Sequence, residues 1–535
     1  MFHSVRLTQL LQRRALLTWA SGAVGLFLFG GCLGATAPAT TLVPSAPPSP
    51  TPSAAADKVV PPLRVAFTSA PKQFDPARMT TVEAFQLALS VYDGLVWVDP
   101  KLTPQPMLAL SWQPAVDRLS WTFQLRKGVK FHHGTVFTAQ DVVYTFTRLL
   151  DPKNGSAFRS VLRFLDRVEA VGDNAVRFYL HTPNAELPFL LGAAQTRIVP
   201  HDYNSTALAT KPSGTGPFQF VEFVPGERIK MVSNPNYWEA NRLAVPVLEF
   251  VYINSFEAQV AALVAGKIDL VPDITLQALT DLAGNPAIAV VEVPSGRYQT
   301  IVMQATEPPF TDLRVRQALK YCVDRPALQQ AILQRHGELG NDQPVAPVSP
   351  FWADLPMRGR DIAKARQLLA AAGYPKGLKL SLITSSSRPG MVELATAFRD
   401  LAQPAGVEIT VVRTPPDVYW TDYNGKVPFH IGNWNFRPSI DETLMIAYHS
   451  QAQQNESRWH NAKFDTLIET ARGELDLAKR KMLYQQAQTL LIEEGAVIIP
   501  YFRPVLMAMR KTLQGFTPHP AGWLDFRDVQ LKQPA

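Results

Sequence analysis

Between residues 378 and 412 the chain reads LKLSLIT, then a helical stretch around MVELATAFRDLAQPAG, then VEITVV. Strand, helix and strand in that order form a β-α-β unit, which implies parallel strands joined by a crossover. The segments around it are helical. TDLRVRQALKYCVDRPALQQAIL puts Val315, Ala318, Leu319, Cys322 and Val323 on one face, and DIAKARQLLAAAGY ends with Gly373 placed to cap it. NAKFDTLIETAR and LAKRKMLYQQAQTLLIEE are predicted helices, and AVIIPYF is a predicted buried strand.

The part before residue 305 has a different character. LRVAF opens it as a short strand, and SWTFQLR alternates at Trp121, Phe123 and Leu125 as a strand with one buried face does. Strands follow at RVEAVGDNAVRFYL, GPFQFVEFV, RIKMVSN and VLEFVYI. EAQVAALVAGKIDLV predicts a helix ending near Gly266 and a strand at 268–271, and a further strand is read at 298–305. In GVKFHHGTVFTAQDVVYTF, Thr138 followed three residues later by Asp141 marks a capped helix start. Val142, Val143, Phe146, Leu149 and Leu150 then share one face, and Asp151–Pro152 stops the helix. His132 and His133 fall in the strand-to-helix connection. Adjacent residues of extended chain point to opposite faces, so the pair is a poor chelate and is read as hydrogen-bonded loop residues without a metal.

A chain of 535 residues exceeds what one core organises. The pattern predicts a mixed lobe over 63–305 with an extra subdomain at about 85–210, an α/β lobe over 306–495, and a tail over 496–535 returning to the first. Ligand sites favour the interface between such lobes. The net charge of +7 is modest at this length and no basic stripe is present, so nucleic acid is not an expected partner. The two cysteines, Cys32 and Cys322, are not expected to pair, because one lies in a leader-like segment and the other within a predicted helix.

That leader, over residues 1–31, has basic Arg6, Arg13 and Arg14, an apolar stretch and small residues before Cys32. It reads as an export signal. FGGC resembles a bacterial lipobox with Phe29 in place of the usual Leu, and implies lipidation of Cys32; a twin-arginine signal or an uncleaved anchor is the alternative. Residues 32–62 are rich in Pro, Ser, Thr and Ala with no periodic apolar face, which describes an extended spacer.

The sequence holds no GxxxxGK[ST] loop, no GxGxxG after a strand, no GxSxG, no HExxH and no CxxC. An enzyme is therefore not expected, and no cofactor is implied.

LRKGVKFHHGTVFTAQDVVYTFTRLLDP resembles the signature of bacterial extracellular solute-binding proteins of the peptide/nickel class, with His133 where Asp is common. Collinear matches follow at FDPARMTTVEAFQLALSVYDGLV, GTGPFQF, NPNYW, TDLRVRQALKYCVDR and KARQLLAAAGY, and through HNAKFDTLIETAR to IIPYF. The resemblance implies an α/β, two-lobe periplasmic-binding-protein fold with an extra subdomain in the first lobe and a hinge of crossing strands. It further implies a receptor, most simply monomeric, that binds peptides between closing lobes and delivers them to ABC permease subunits served by ATPases. A non-peptide anion, a metal chelate or a ligand-sensing role are the alternatives.

In dipeptide-type relatives a stretch of the second lobe reads roughly GWxADYxDP, and its first Asp pairs with the ligand ammonium. Here GNWNFRPSIDETL matches at Trp434 but carries Arg437 at the acidic position. The resemblance therefore implies an anion on Arg437, whose planar fork suits a carboxylate, with Asn433, Trp434 and Phe436 beside it. Asp441 is expected to receive an amine or to pair with Arg437. Arg388, before a helix start, is a further anion candidate. Phe74, Met79 and Thr215 are the first-lobe candidates.

Overall fold

The computed structural model describes residues 61–532. The expected signal segment, Cys32 and nearly all of the spacer lie outside the described residues. Among the described residues no helix is long and apolar enough to cross a membrane.

One mixed sheet runs through the molecule. Its strands lie in the order Val407–Thr414, Leu378–Ser385, Phe429–Trp434, Ile288–Met303, Tyr501–Arg510, Leu270–Val271, Leu63–Phe67, Val247–Tyr252, Arg228–Ser233 and Phe218–Val224. The predicted β-α-β unit is present: Leu378–Ser385 pairs in parallel with Val407–Thr414 over its whole length, and helix Met391–Ala402 connects them.

The two central strands belong to two cores at once. Ile288–Met303 pairs first with Tyr501–Arg510, from Ile288 opposite Arg510 to Val293 opposite Val505. The register then shifts before Arg297 meets Arg503, and beyond it the strand pairs with Phe429–Trp434. Pro294, which has no N–H, lies inside this irregularity, as expected of a proline in a sheet interior. Val293 and Val505 pack with Val65, Phe250 and Met507 in one core. Tyr298 and Phe502 pack with Leu382, Phe398 and Ile431 in another. Core membership thus changes within a few residues on both strands, which gives two lobes on crossing strands.

A third core, with Phe123, Phe146, Phe178 and Leu190, fills a subdomain of the first lobe. Its antiparallel sheet of Ala109–Pro114, Ser120–Leu125, Ala175–Leu180 and Leu165–Ala170 is covered by helix Ala139–Leu150. The helix starts as its sequence dictates. Thr138 and Asp141 form a capping box in which the Asp141 carboxylate accepts the Thr138 N–H at 2.7 Å. The histidine pair beside it ties two motifs together. His132 Nε2 donates to Gly216 O at 3.0 Å while its Nδ1 accepts the Gly214 N–H at 3.3 Å, and His133 Nδ1 lies 2.7 Å from Ser213 Oγ. Burial holds His132 neutral, lowering its pKa to about 4. Gly214 itself presses on the backbone of Val91, where a Cβ would come within 2.0 Å of the carbonyl oxygen.

Three elements differ from the reading above. The helix predicted through Cys322 is two helices, Leu313–Tyr321 and Arg325–Leu333, because Asp324 caps the second and Pro326 stands in its first turn. Cys322 is the buried C-cap of the first, its thiol 3.3 Å from Ala318 O. The strand expected at 298–305 begins ten residues earlier, at Ile288, and AVIIPYF is interrupted at Pro500 before Tyr501–Arg510.

Replacing Thr138 by Ala removes one half of the capping box. The expected loss is about 1 kcal/mol of unfolding free energy, read as a lowered urea midpoint at constant slope. An unchanged midpoint would show that the box does not hold the subdomain helix.

Candidate functional site

Strand alternation builds the site at the crossing strands. On Ile288–Met303, Arg297 and Gln299 point to one face while Tyr298 points to the other. Arg503 stands opposite Arg297, and Asn433 stands opposite Gln299 on the next strand. The second face is apolar: Tyr298 packs beside Trp434 and Phe502, with ring centroids 6.5 and 6.1 Å away. The first face is polar. Arg503 Nη1 donates to Asn433 Oδ1 at 3.4 Å, and Tyr501 OH donates to Gln299 Oε1 at 2.8 Å. Gln299 Nε2 in turn donates to Pro389 O at 2.8 Å, which brings the Arg388 loop to the same face.

The charges here do not cancel. Arg297 has Asp273 at 3.3 Å. Among the described residues, Arg388 and Arg503 have no carboxylate in salt-bridge range. Arg388 donates only to Ser387 O and lies 5.9 Å from the Trp420 ring centroid. Burial is the main cause lowering the proton affinity of Arg503; Arg297 and Arg388 add to it by like charge, and Asp273 opposes. Like charges facing each other across neighbouring strands are destabilising, and a fixed guanidinium in such a place is suited to an anion.

The structure spreads the residues expected from the sequence over three places. Asn433, Trp434, Phe436 and Arg437 do lie together beside the crossing strands. The Phe436 ring covers Gly296, where a Cβ would fall 2.2 Å from a ring carbon. Arg437 pairs with Glu442 at 3.1 Å and not with Asp441, and its guanidinium lies 5.3 Å from the Trp434 ring centroid. The Trp434 indole is fixed from behind by Glu456, with Nε1 3.4 Å from Oε2. Burial raises the Glu456 carboxyl to about 7.

Asp441 is elsewhere, fully buried in the first turn of helix Ile440–Ala447, where Arg472 of helix Ala462–Gly473 donates to it from Nε at 2.9 Å and takes the pairing expected of Arg437. Phe74 and Met79 are in the first-lobe core, Phe74 against Phe220 and Phe223. Thr215 is buried as well, donating to Asp93 Oδ2 at 3.1 Å. Gln299, Tyr501, Arg297 and Arg503 escaped the sequence reading. The available signal was an arginine placed within an apolar strand, in SGRYQTIVM and in IIPYFRPVLM.

The lobes meet a second time at the edge of the subdomain. Ser439 Oγ donates to Glu186 Oε2 at 3.0 Å, Arg480 lies 3.6 Å from Glu186, and the Ala185 N–H donates to Arg472 O at 2.7 Å. Burial raises the Glu186 carboxyl to about 7, with Asp441 adding to the rise and Arg480, Ser439 and Arg472 opposing it.

Two lobes joined by crossing strands, with a polar patch between them, define a solute-binding protein of the periplasmic type. A sequence profile of bacterial extracellular solute-binding proteins, family 5 Middle, matches residues 103–456. Heme-binding protein A of Haemophilus influenzae is 29% identical over 502 residues, covering 86% of this chain and 91% of that protein. Di/tripeptide-binding protein 1 of Pseudomonas aeruginosa is 27% identical over 500 residues, covering 86% and 92%. The solved structure of HbpA2 from Haemophilus parasuis superposes with a TM-score of 0.78 at 26% identity, covering 88% of this chain and all of that one. The chain belongs to the family 5 bacterial extracellular solute-binding proteins. It is an exported solute receptor that serves an ABC importer.

The Glu186 environment gives a pH dependence. A carboxyl raised in the folded state binds its proton more tightly there than in the unfolded chain, so stability falls as pH rises from about 4.5 and levels off above about 7. Glu186→Gln is expected to flatten part of that slope in denaturant titrations at pH 5 and pH 8. Equal slopes in wild type and variant would remove Glu186 from the account.

Proposed function

We propose that the receptor binds short peptides, and that the Arg297, Arg388 and Arg503 face takes a ligand carboxylate. The observation that carries this is Arg503, half-buried on a crossing strand with no carboxylate partner among the described residues. A peptide carboxylate arriving from solvent would supply the missing charge, and charge-assisted hydrogen bonds to a guanidinium are the stronger kind. Asn433 shares the arginine face and the Phe436 ring covers Gly296 at its edge, while Trp434 belongs to the core on the other side of the sheet; the Arg437–Glu442 pair offers one charge of each sign to the rest of the ligand. The named ligands of two relatives, di/tripeptide and heme, share carboxylates as a chemical feature. The ligand would be captured, not converted.

In this reading the bodies that close on the ligand exchange at the Val293–Arg297 shift and between Phe502 and Val505, not at residues 305 and 495. Ligand contacts made by both lobes favour the closed population, which a permease would then engage. We also propose that Cys32 carries the lipid, with the Pro-rich segment as spacer and a monomeric receptor beyond it. A Cys32→Ser variant should then leave the membrane fraction, and identical fractionation of variant and wild type would exclude the anchor.

The ligand test is calorimetry with di- and tripeptides, their C-terminal amides, and heme. Free-acid peptides are expected to bind about ten to a hundredfold more tightly than their amides, and Arg503→Ala to abolish that preference. Equal binding of acids and amides would defeat the carboxylate reading. Binding of heme with no peptide bound would replace the peptide class.

A further inference from the structure

We infer that Gln299 is the positioning residue of this site: it holds the Arg388 loop in place and ties it to both crossing strands. This rests on the carboxylate reading given above. Gln299 is fully buried, and its side chain is used at both ends. Oε1 accepts from Tyr501 OH on one crossing strand, and Nε2 donates to Pro389 O next to Arg388, each at 2.8 Å. The orientation of the amide follows from its partner, since a carbonyl oxygen can only accept and must face the NH2 end.

Arg388 itself has little else to direct it. Its guanidinium is exposed, donates to the carbonyl of its own neighbour, and lies near Trp420. The backbone that presents it is held against Gln299 so closely that no side chain fits between them. At Gly390, φ is +92°, and a Cβ would lie 2.8 Å from Gln299 Oε1. Helix Met391–Ala402 begins there without a side-chain cap, and Thr384 Oγ1 to Met391 O and the Ser387 N–H to Ser385 Oγ tie the loop only to its own strand. A buried amide satisfied at both ends is a rigid link, whereas one left unpaired is costly. The link spans Ile288–Met303, Tyr501–Arg510 and the loop, so a rotation at the crossing strands moves the groups that would meet the ligand together.

Two arms test the inference, one without ligand and one with. In ligand-free protein, hydrogen exchange over residues 386–392 is compared among wild type, Gln299→Met and Gln299→Glu. The glutamate variant keeps the acceptor for Tyr501 and loses the donor to Pro389, so it remains informative should the methionine variant fold poorly. Faster exchange in that loop, with the strands still protected, is the expected result. In the second arm, calorimetry uses trialanine and its C-terminal amide as probes. Gln299→Glu should weaken trialanine about tenfold in the wild-type background and have little further effect in Arg388→Ala.

Unchanged exchange, or losses that simply add in the double variant, would overturn the positioning role. The carboxylate reading fails in a different way, through wild type binding trialanine and its amide equally, or through Arg388→Ala and Arg503→Ala both keeping the wild-type preference for trialanine over its amide. If trialanine does not bind the wild type, the exchange arm alone decides for or against Gln299.

Discussion

A single strand cannot serve two separate cores on the same register, and the shift between Val293 and Arg297 is how this chain manages it. Before the shift the alternation of Ile288–Met303 follows the first lobe, and after it the second. Pro294 contributes no donor to the ladder there, and Ser295 Oγ instead reaches Pro520 O at 2.6 Å, holding the returning C-terminal segment to the crossing point. Gly296 leaves room for the Phe436 ring. The irregularity therefore does three things together: it separates the cores, anchors the tail and admits an aromatic side chain from the second lobe.

The same break places the polar face. Once the register has shifted, Arg297, Gln299, Tyr501, Arg503 and Asn433 share one side of three adjacent strands, and Tyr298, Trp434 and Phe502 share the other. Like charges facing each other across neighbouring strands repel, and Arg297 and Arg503 are such a pair, with Asp273 offsetting one of them. Glu186 presents the opposite situation at the far edge: a carboxyl closely surrounded by arginines, buried enough that its ionisation is resisted. One contact is short of negative charge and the other carries it at a cost.

Much of the architecture could be read from the chain. The β-α-β unit, the Thr138 cap and the alternating strands of the subdomain all follow from local pattern, because each is decided by residues close in sequence. The misses have a common cause. Cys322 sits at a break because Asp324 and Pro326, only a few residues on, start a new helix more strongly than the apolar face continues the old one. Arg503 and Gln299 lie about two hundred residues apart, and no local pattern announces that Tyr501 and Pro389 will converge on the same amide. The first-lobe candidates Phe74, Met79 and Thr215 turn inward in this chain, Phe74 against Phe220 and Phe223, Met79 into the same core and Thr215 to Asp93, contacts distant in sequence that no local pattern announces.

Arg437 shows how a charge reversal in a motif should be weighed. Seen alone in GNWNFRPSIDETL, it replaces an acidic position by a basic one and suggests that the ligand end has changed sign. In the folded chain Glu442 lies 3.1 Å away, so the reversal is neutralised within one turn of the helix that follows. Burial also resists charge on Glu442, raising its carboxyl, while Arg437 opposes that rise, so the pair is held against a desolvation cost. The net charge available to a ligand is set by what each guanidinium already holds. On that criterion the second lobe's motif is close to neutral, and the imbalance lies with Arg388 and Arg503, on a loop and a strand outside that motif.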